Sequence, residues 1–167
     1  MFDLESAYET YHEQIYKFLY FLTFDEQLAE DLMQETFIRA QLARHTYRNQ
    51  SSEITWLRTI AKNLAIDYFR RKKLVKFIPI RTGEQFGDVS ISPETLLHIA
   101  EEERGLYEAL AQLKFEYRAS IVLRKIEGLS IKETAQVLGW NESKVKNNTE
   151  RGMKKLAEYL KEGNRIG

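Results

Sequence analysis

Gly128-Leu129-Ser130-Ile131-Lys132-Glu133-Thr134-Ala135-Gln136-Val137-Leu138-Gly139-Trp140-Asn141-Glu142-Ser143-Lys144-Val145-Lys146 decides how the chain is read. Ser130 with Glu133 three residues on is a capping box, in which hydroxyl and carboxylate each satisfy an orphan backbone donor and start a helix. Ala135 is small enough to let a second helix approach, and Gly139 stops the first where a positive φ is wanted. Asn141 is placed to cap the next helix, and Val145 stands ten residues after Ala135, the apolar spacing of a helix-turn-helix pair. The second helix then presents Ser143, Lys144, Lys146, Asn147, Asn148, Glu150 and Arg151 outward, side chains that reach phosphates and base edges in a major groove. A helical hairpin with a merely solvated polar face is the plainer reading. The combination of cap, Ala, Gly, Val and an Asn- and Lys-bearing helix favours DNA.

Working outward, 167 residues allow one domain or two small ones, and 43% apolar with 30% charged residues is a globular composition. Cysteine is absent, which excludes disulfides, thiolate metal sites and thiol nucleophiles. The sequence shows no basic-then-apolar leader and no apolar run near the ~20 residues that span a bilayer. A cytoplasmic protein without membrane insertion is the expectation.

Formal net charge is zero, so any nucleic-acid contact depends on how charge is distributed. From Glu53 to Lys73, Arg58, Lys62, Arg70, Arg71, Lys72 and Lys73 face only Glu53 and Asp67. From Ser143 to Gly167, Lys144, Lys146, Arg151, Lys154, Lys155, Lys161 and Arg165 face Glu150, Glu158 and Glu162. Asp25, Glu26, Glu30, Asp31 and Glu35 form an acidic stretch without a base. Two basic elements and an acidic one imply two nucleic-acid contacts and a protein contact.

In chain order, Leu4, Tyr8, Tyr11, Ile15, Phe18, Leu19 and Leu22 make the stripe of an amphipathic helix. Asp25 caps a second helix to about Arg44, with Leu28, Leu32, Phe37 and Leu42 as buried positions. Its other side carries Glu30, Asp31, Gln34 and Glu35, a grouping that suits a basic or amide-rich helical partner. His12, His45 and His98 are scattered, so these acids are not read as a metal site. His45 to Ser52 is a polar loop, after which Ser51 or Ser52 caps a helix from Glu53 to Lys73. Its inner stripe is Ile54, Leu57, Ala61, Leu64 and Tyr68, and Trp56 is read as core. A basic helix beside a Tyr-containing loop can hold an unstacked strand, with Asn63 offering paired donor and acceptor.

Leu74 to Ser92 loses period and reads as a linker whose Val75, Phe77, Ile78 and Ile80 are too apolar for a free tether. Ser92-Pro93 opens a second unit, with a helix from about Pro93 to Leu113, broken or strained at Gly105, and another from Phe115 to Glu127. Leu156, Tyr159 and Leu160 pack the last helix onto it. The fold class is all-α: two small helical domains, 1–73 and 93–167, joined by the linker 74–92, the second containing the helix-turn-helix.

Taken together, Ala29-Glu30-Asp31-Leu32-Met33-Gln34-Glu35-Thr36-Phe37, Thr55-Trp56-Leu57-Arg58-Thr59-Ile60-Ala61-Lys62-Asn63, and Leu129 through Lys155 resemble a bacterial sigma factor of the extracytoplasmic-function (ECF) group, in order, at family spacing and over nearly the whole chain. The resemblance implies an alternative sigma factor that binds core RNA polymerase and directs promoter-specific transcription initiation. Its first domain (sigma2) would open the minus-ten element and its second (sigma4) read the minus-thirty-five element. It implies that Asp31, Gln34 and Glu35 meet the clamp helices of the largest polymerase subunit. Tyr47, Arg48 and Asn49 in the loop, with Lys62, Asn63, Arg70 and Arg71, would engage the melted non-template strand of promoter DNA. Lys146, Asn147 and Arg151 match the recognition-helix contacts. Asn148 stands where many relatives carry Arg, and Thr149 where the helix position is usually apolar. Relatives are commonly held by an anti-sigma factor. The alternatives are an autonomous helix-turn-helix regulator, for which no separate dimerisation element or ligand pocket is evident, and a helical adaptor. An enzyme is least supported: no His, Cys or paired-carboxylate set has catalytic spacing, and neither a cofactor nor a Gly-rich phosphate loop is indicated.

Overall fold

Asp3 and Asp25 each start a helix by accepting a backbone N–H, from Ser6 at 3.3 Å and from Leu28 at 3.0 Å. In the computed structural model, which describes residues 1–75 and 89–166 and the side chains of 1–72 and 89–163, these are α1 (Leu4–Thr23) and α2 (Glu26–Leu42). Phe24 joins them in the left-handed region, φ 50°, its N–H donating to Tyr20 O at 2.7 Å. That conformation costs a non-glycine residue roughly 1–2 kcal/mol. Full burial of the ring against Tyr20, Phe21 and Tyr107 offsets it. After a 3₁₀ turn at Arg44–Thr46, Ser52 caps α3 (Glu53–Val75), accepting Thr55 N–H at 3.3 Å. The three helices pack mutually around Ile15, Phe18, Leu19, Leu22, Phe37, Leu57 and Ala61.

Two expected core positions lie elsewhere. Leu42 is 69% exposed because α2 ends there and its inner face runs through Ala29, Met33, Phe37 and Ala40. Tyr8 is 38% exposed and lies over His12 and the edge of Phe37.

In the second half Ser92 caps α4 (Pro93–His98), with Pro93 in the first turn. The expected single helix to Leu113 is divided at Ile99 and Ala100, and not at Gly105, which sits in open space inside α5 (Glu101–Gln112). Ile99 turns inward on extended backbone, and Glu101, Glu102 and Glu103 then favour a fresh helix start through its dipole. Next come α6 (Phe115–Ile121), widening into a π-helical turn at Val122–Ile126, then α7 (Ile131–Leu138) and α8 (Glu142–Ile166). The side chains of residues 74–88 of the expected linker lie outside those described, and with them the packing expected of Val75, Phe77, Ile78 and Ile80. Its far end is anchored: Val89 N–H bonds Ala111 O at 3.1 Å, and Ser92 N–H bonds Phe24 O at 3.4 Å.

The two halves share one core. Arg118, fully buried, donates to Leu113 O at 2.6 Å and across to Leu22 O, at the end of α1, at 3.0 Å. Its charge thus lies at the negative end of α1. Tyr107 of α5 meets the rings of Tyr20, Phe21 and Phe24, and Phe69 of α3 meets Phe115. α7 packs along α3, and His98 bonds Glu26 at 2.7 Å.

Candidate nucleic-acid interface

The turn between α7 and α8 is built by the residues that announce it. Ser130 Oγ accepts Glu133 N–H at 3.0 Å, Gly139 takes φ 70° with its N–H on Ala135 O, and Asn141 Oδ1 accepts Lys144 N–H at 2.8 Å. Ala135 and Val145 are both buried. Against this support α8 exposes Ser143, Lys146, Asn147, Glu150 and Arg151. Lys144 is half-exposed, its Nζ 4.5 Å above the Trp140 ring and 3.7 Å from Glu116.

Asn148 departs from the expectation of an outward position. It is buried, and its Nδ2 donates back to Lys144 O at 2.9 Å. The inner stripe of α8 is Val145, Asn148, Thr149, Gly152 and Leu156, the helical repeat continued from Val145. Thr149 works at its usually apolar position because its hydroxyl lies 2.6 Å from Ser120 Oγ and bonds Val145 O at 2.7 Å. Gly152 has no counterpart among the sequence expectations. A Cβ there would lie 3.0 Å from Ile121 Cδ1 and Tyr117 Cβ, so α6 and α8 would have to ease apart by a few tenths of an ångström to admit one.

In the first half, Tyr47, Arg48 and Asn49 lie in one shaped loop. Tyr47 OH donates to Ser51 O at 2.7 Å, its ring lies 4.8 Å from Trp56, and burial, then the charge of Glu53, raises its pKa. Arg48 and Asn49 are exposed, Asn49 at φ 58°. Trp56 also meets Phe2 edge-on, which fixes it at the margin of the core. Asn63, Arg70 and Arg71 are exposed on α3, with Asp67 3.8 Å from Arg70. Lys62 contradicts its expected place on an open DNA face. It is 8% exposed, and desolvation lowers its pKa. It lies one turn beyond Arg58, which forms a buried ion pair with Glu127 at 3.2 Å. Arg58 is thereby joined to the second half of the chain, a contact of which the local sequence carries no sign.

On α2, Asp31 and Gln34 are exposed; Gln27 donates to Asp31 at 3.0 Å, and Arg39 to Glu35 at 3.0 Å. Beside them Leu4, Tyr8, Phe37 and Ile38 line a shallow apolar cleft, with Ile38 54% exposed. Among the described residues no group of three or more His, Asp or Glu is placed to hold a metal ion, and no helix is long and apolar enough to cross a membrane.

These features define a two-part, all-helical DNA-binding protein with a helix-turn-helix at one end and a basic helix at the other. Residues 7–75 match the family of Sigma-70 region 2, and residues 103–156 that of Sigma-70, region 4. The chain is 40% identical to the ECF RNA polymerase sigma factor SigX of Bacillus subtilis (strain 168), over 92% of this chain and 81% of that protein. It is 32% identical to the RNA polymerase sigma factor YlaC of the same organism, over 94% and 91%. Among solved structures, the sigma factor RpoE in complex with the anti-sigma factor NepR from Bartonella quintana superposes with a TM-score of 0.74 over 94% of this chain and 96% of that one. CnrH in complex with the cytosolic domain of CnrY gives 0.69 over 95% and 87%. At 20% and 21% identity these two speak for the fold alone. The chain belongs to the ECF sigma factors of the sigma-70 family, alternative sigma factors that direct promoter-specific transcription initiation. An autonomous regulator is not favoured.

Proposed function

We propose that residues 1–73 bind core RNA polymerase and trap the melted minus-ten strand, that 74–92 link the units, and that 93–167 read the minus-thirty-five duplex. The observation that carries this is the bare outer face of α8 above a fully formed Ser130, Gly139 and Asn141 frame. Ser143, Lys146, Asn147, Glu150 and Arg151 meet the major groove, and Lys144 contributes once it leaves Glu116. Asp31, Gln34 and Glu35 meet the clamp helices of the largest polymerase subunit. Tyr47, Arg48, Asn49, Asn63, Arg70 and Arg71 hold the opened strand; flipping a base costs a few kcal/mol, which a preformed loop and phosphate contacts offset. The protein works in the cytoplasm, as a DNA-binding initiation factor without catalysis of its own. An anti-sigma factor is a further expected partner, since the two superposed relatives were solved with one or with the cytosolic domain of a second protein. Run-off transcription with purified core polymerase on a genomic promoter library tests the reading. Selective transcripts are expected. Operator binding by the isolated protein at moderate salt, without polymerase association, would overturn it.

A further inference from the structure

Arg58 and Lys62 sit on one face of α3, one turn apart, and both are buried although both carry charge. The groups facing Arg58 come from three elements. Gln14 Oε1 of α1 lies 3.5 Å away at the limit of a hydrogen bond, Glu127 Oε2 lies at 3.2 Å, and Glu133 of α7 acts through its charge. Glu127 closes the π-helical turn, and its N–H is tied to Val122 O at 2.8 Å, so its carboxylate is delivered by the fold rather than by a loose surface chain. The contact is nevertheless single-pronged. Arg58 Nε and Glu127 Oε1 are buried with no hydrogen-bond partner among the described residues. A guanidinium prefers two parallel bonds to one oxyanion group, and half-made buried pairs gain little, because lost hydration offsets the attraction. Buried Lys62 is likewise a cation whose burial favours loss of its proton.

We propose that Arg58 and Lys62 form a phosphate-binding pair for single-stranded nucleic acid, and that Glu127 covers it as an intramolecular stand-in for phosphate. The inference rests on the strand-trapping role proposed for α3. It adds Arg58 to that surface and gives the second half of the chain another role, because that half, when closed on α3, competes with the strand. The same closure leaves Ser143, Lys146, Asn147 and Arg151 exposed, so the closed molecule keeps its duplex-reading face while withholding part of its strand-reading one. A phosphate would engage Arg58 through both Nε and Nη and supply Lys62 with a counter-charge, completing what Glu127 leaves half-made.

The test uses the full chain as wild type, Glu127→Gln and the double variant Arg58→Met with Glu127→Gln. Fluorescein-labelled oligothymidylate on the order of a dozen nucleotides is titrated by anisotropy over a range of salt. Glu127→Gln is expected to bind about tenfold tighter at low salt. Its plot of log affinity against log salt should steepen by about 0.7, the increment for one phosphate on a single strand. The double variant should return to the wild-type level and slope. No gain in Glu127→Gln, or a gain that survives loss of Arg58, overturns the proposal. Thermal melts followed by circular dichroism check folding, and replacing both ions together protects the double variant from an uncompensated buried charge. Should Glu127→Gln not fold, amide exchange of the wild type decides: saturating oligothymidylate must speed exchange across 122–138, and unchanged exchange overturns the proposal. Run-off transcription by the wild type keeps the outcomes apart. Transcription without an Arg58-dependent gain removes only this inference, whereas absence of polymerase-dependent transcription removes the strand-trapping role itself.

Discussion

The two faces proposed here to meet nucleic acid are built on opposite terms. The recognition face of α8 is rigid and open: its turn is capped at Ser130, Gly139 and Asn141, and its outward residues lie in solvent. The face on α3 is divided, with Asn63, Arg70 and Arg71 exposed, Lys62 buried, and Arg58 buried against Glu127 of the other half. Duplex DNA presents a fixed groove, so a preformed helix loses little on meeting it. A melted strand must first be made, and a surface that uncovers only then avoids holding stray single strands.

The most severe way to break the comparison is to cut the tie between the halves. Arg118→Ala removes a buried cation that bonds Leu22 O and Leu113 O. A loss of about 3 kcal/mol or more in urea-induced unfolding is expected, because two buried carbonyls lose their donor and a cavity opens. Gly152→Val comes next, placing a branched side chain where a Cβ alone already meets Ile121 and Tyr117 at 3.0 Å. Overpacking should cost about 1–3 kcal/mol and tilt α8, so that transcription from promoters needing the upstream element falls more than core-polymerase binding, measured by pull-down. Sharpening the contrast needs a crossed pair. Asn63→Ala should reduce open complexes, read by permanganate footprints of unpaired thymines, by about tenfold, one lost base contact at about 1–3 kcal/mol, with closed complexes unchanged in gel shifts with polymerase. Lys146→Ala should do the reverse, weakening closed complexes with polymerase and lowering the salt slope by about 0.9 for one phosphate. Equal effects of both variants on both steps would erase the division of labour.

The smallest effect concerns alkali. Burial, followed by the nearby Tyr107, pushes the Tyr20 phenol up to about 12. The folded chain therefore holds that proton more tightly than the unfolded chain, whose phenol ionises near 10. The stabilisation is fully present below pH 10 and is lost as pH rises through the folded value. Chemical-denaturation midpoints should fall from pH 10 upward, and Tyr20→Phe should flatten that decline.

The caps were legible because capping is a short-range bargain. A side-chain oxygen three residues from its donor is visible in any sequence, which is why Asp25, Ser92, Ser130 and Asn141 cap where expected, and of the two candidates Ser51 and Ser52 the latter caps α3. The inward turn of Asn148 could have been read by carrying the Val145 repeat through Gly152 to Leu156. The break at Ile99 carries no local mark as conspicuous as Gly105, which stays inside α5 because a single Gly in a helix costs only about 1 kcal/mol. Burial of Arg58 and Lys62 was not available to any local pattern. The partner of Arg58, Glu127, lies 69 residues away, and nothing in a basic helix says that another part of the chain will lie across it.

The span between Arg118 and Leu22 has a bearing on how the chain is born. The two residues are 96 positions apart, so the ribosome releases the end of α1 long before the guanidinium that will close it. Until then the Leu22 carbonyl can be served by water alone, and only with Arg118 in place can that water be shed. Synthesis of the later half thus finishes the earlier one, and a prematurely terminated product would carry a wet seam where the complete protein has a dry joint.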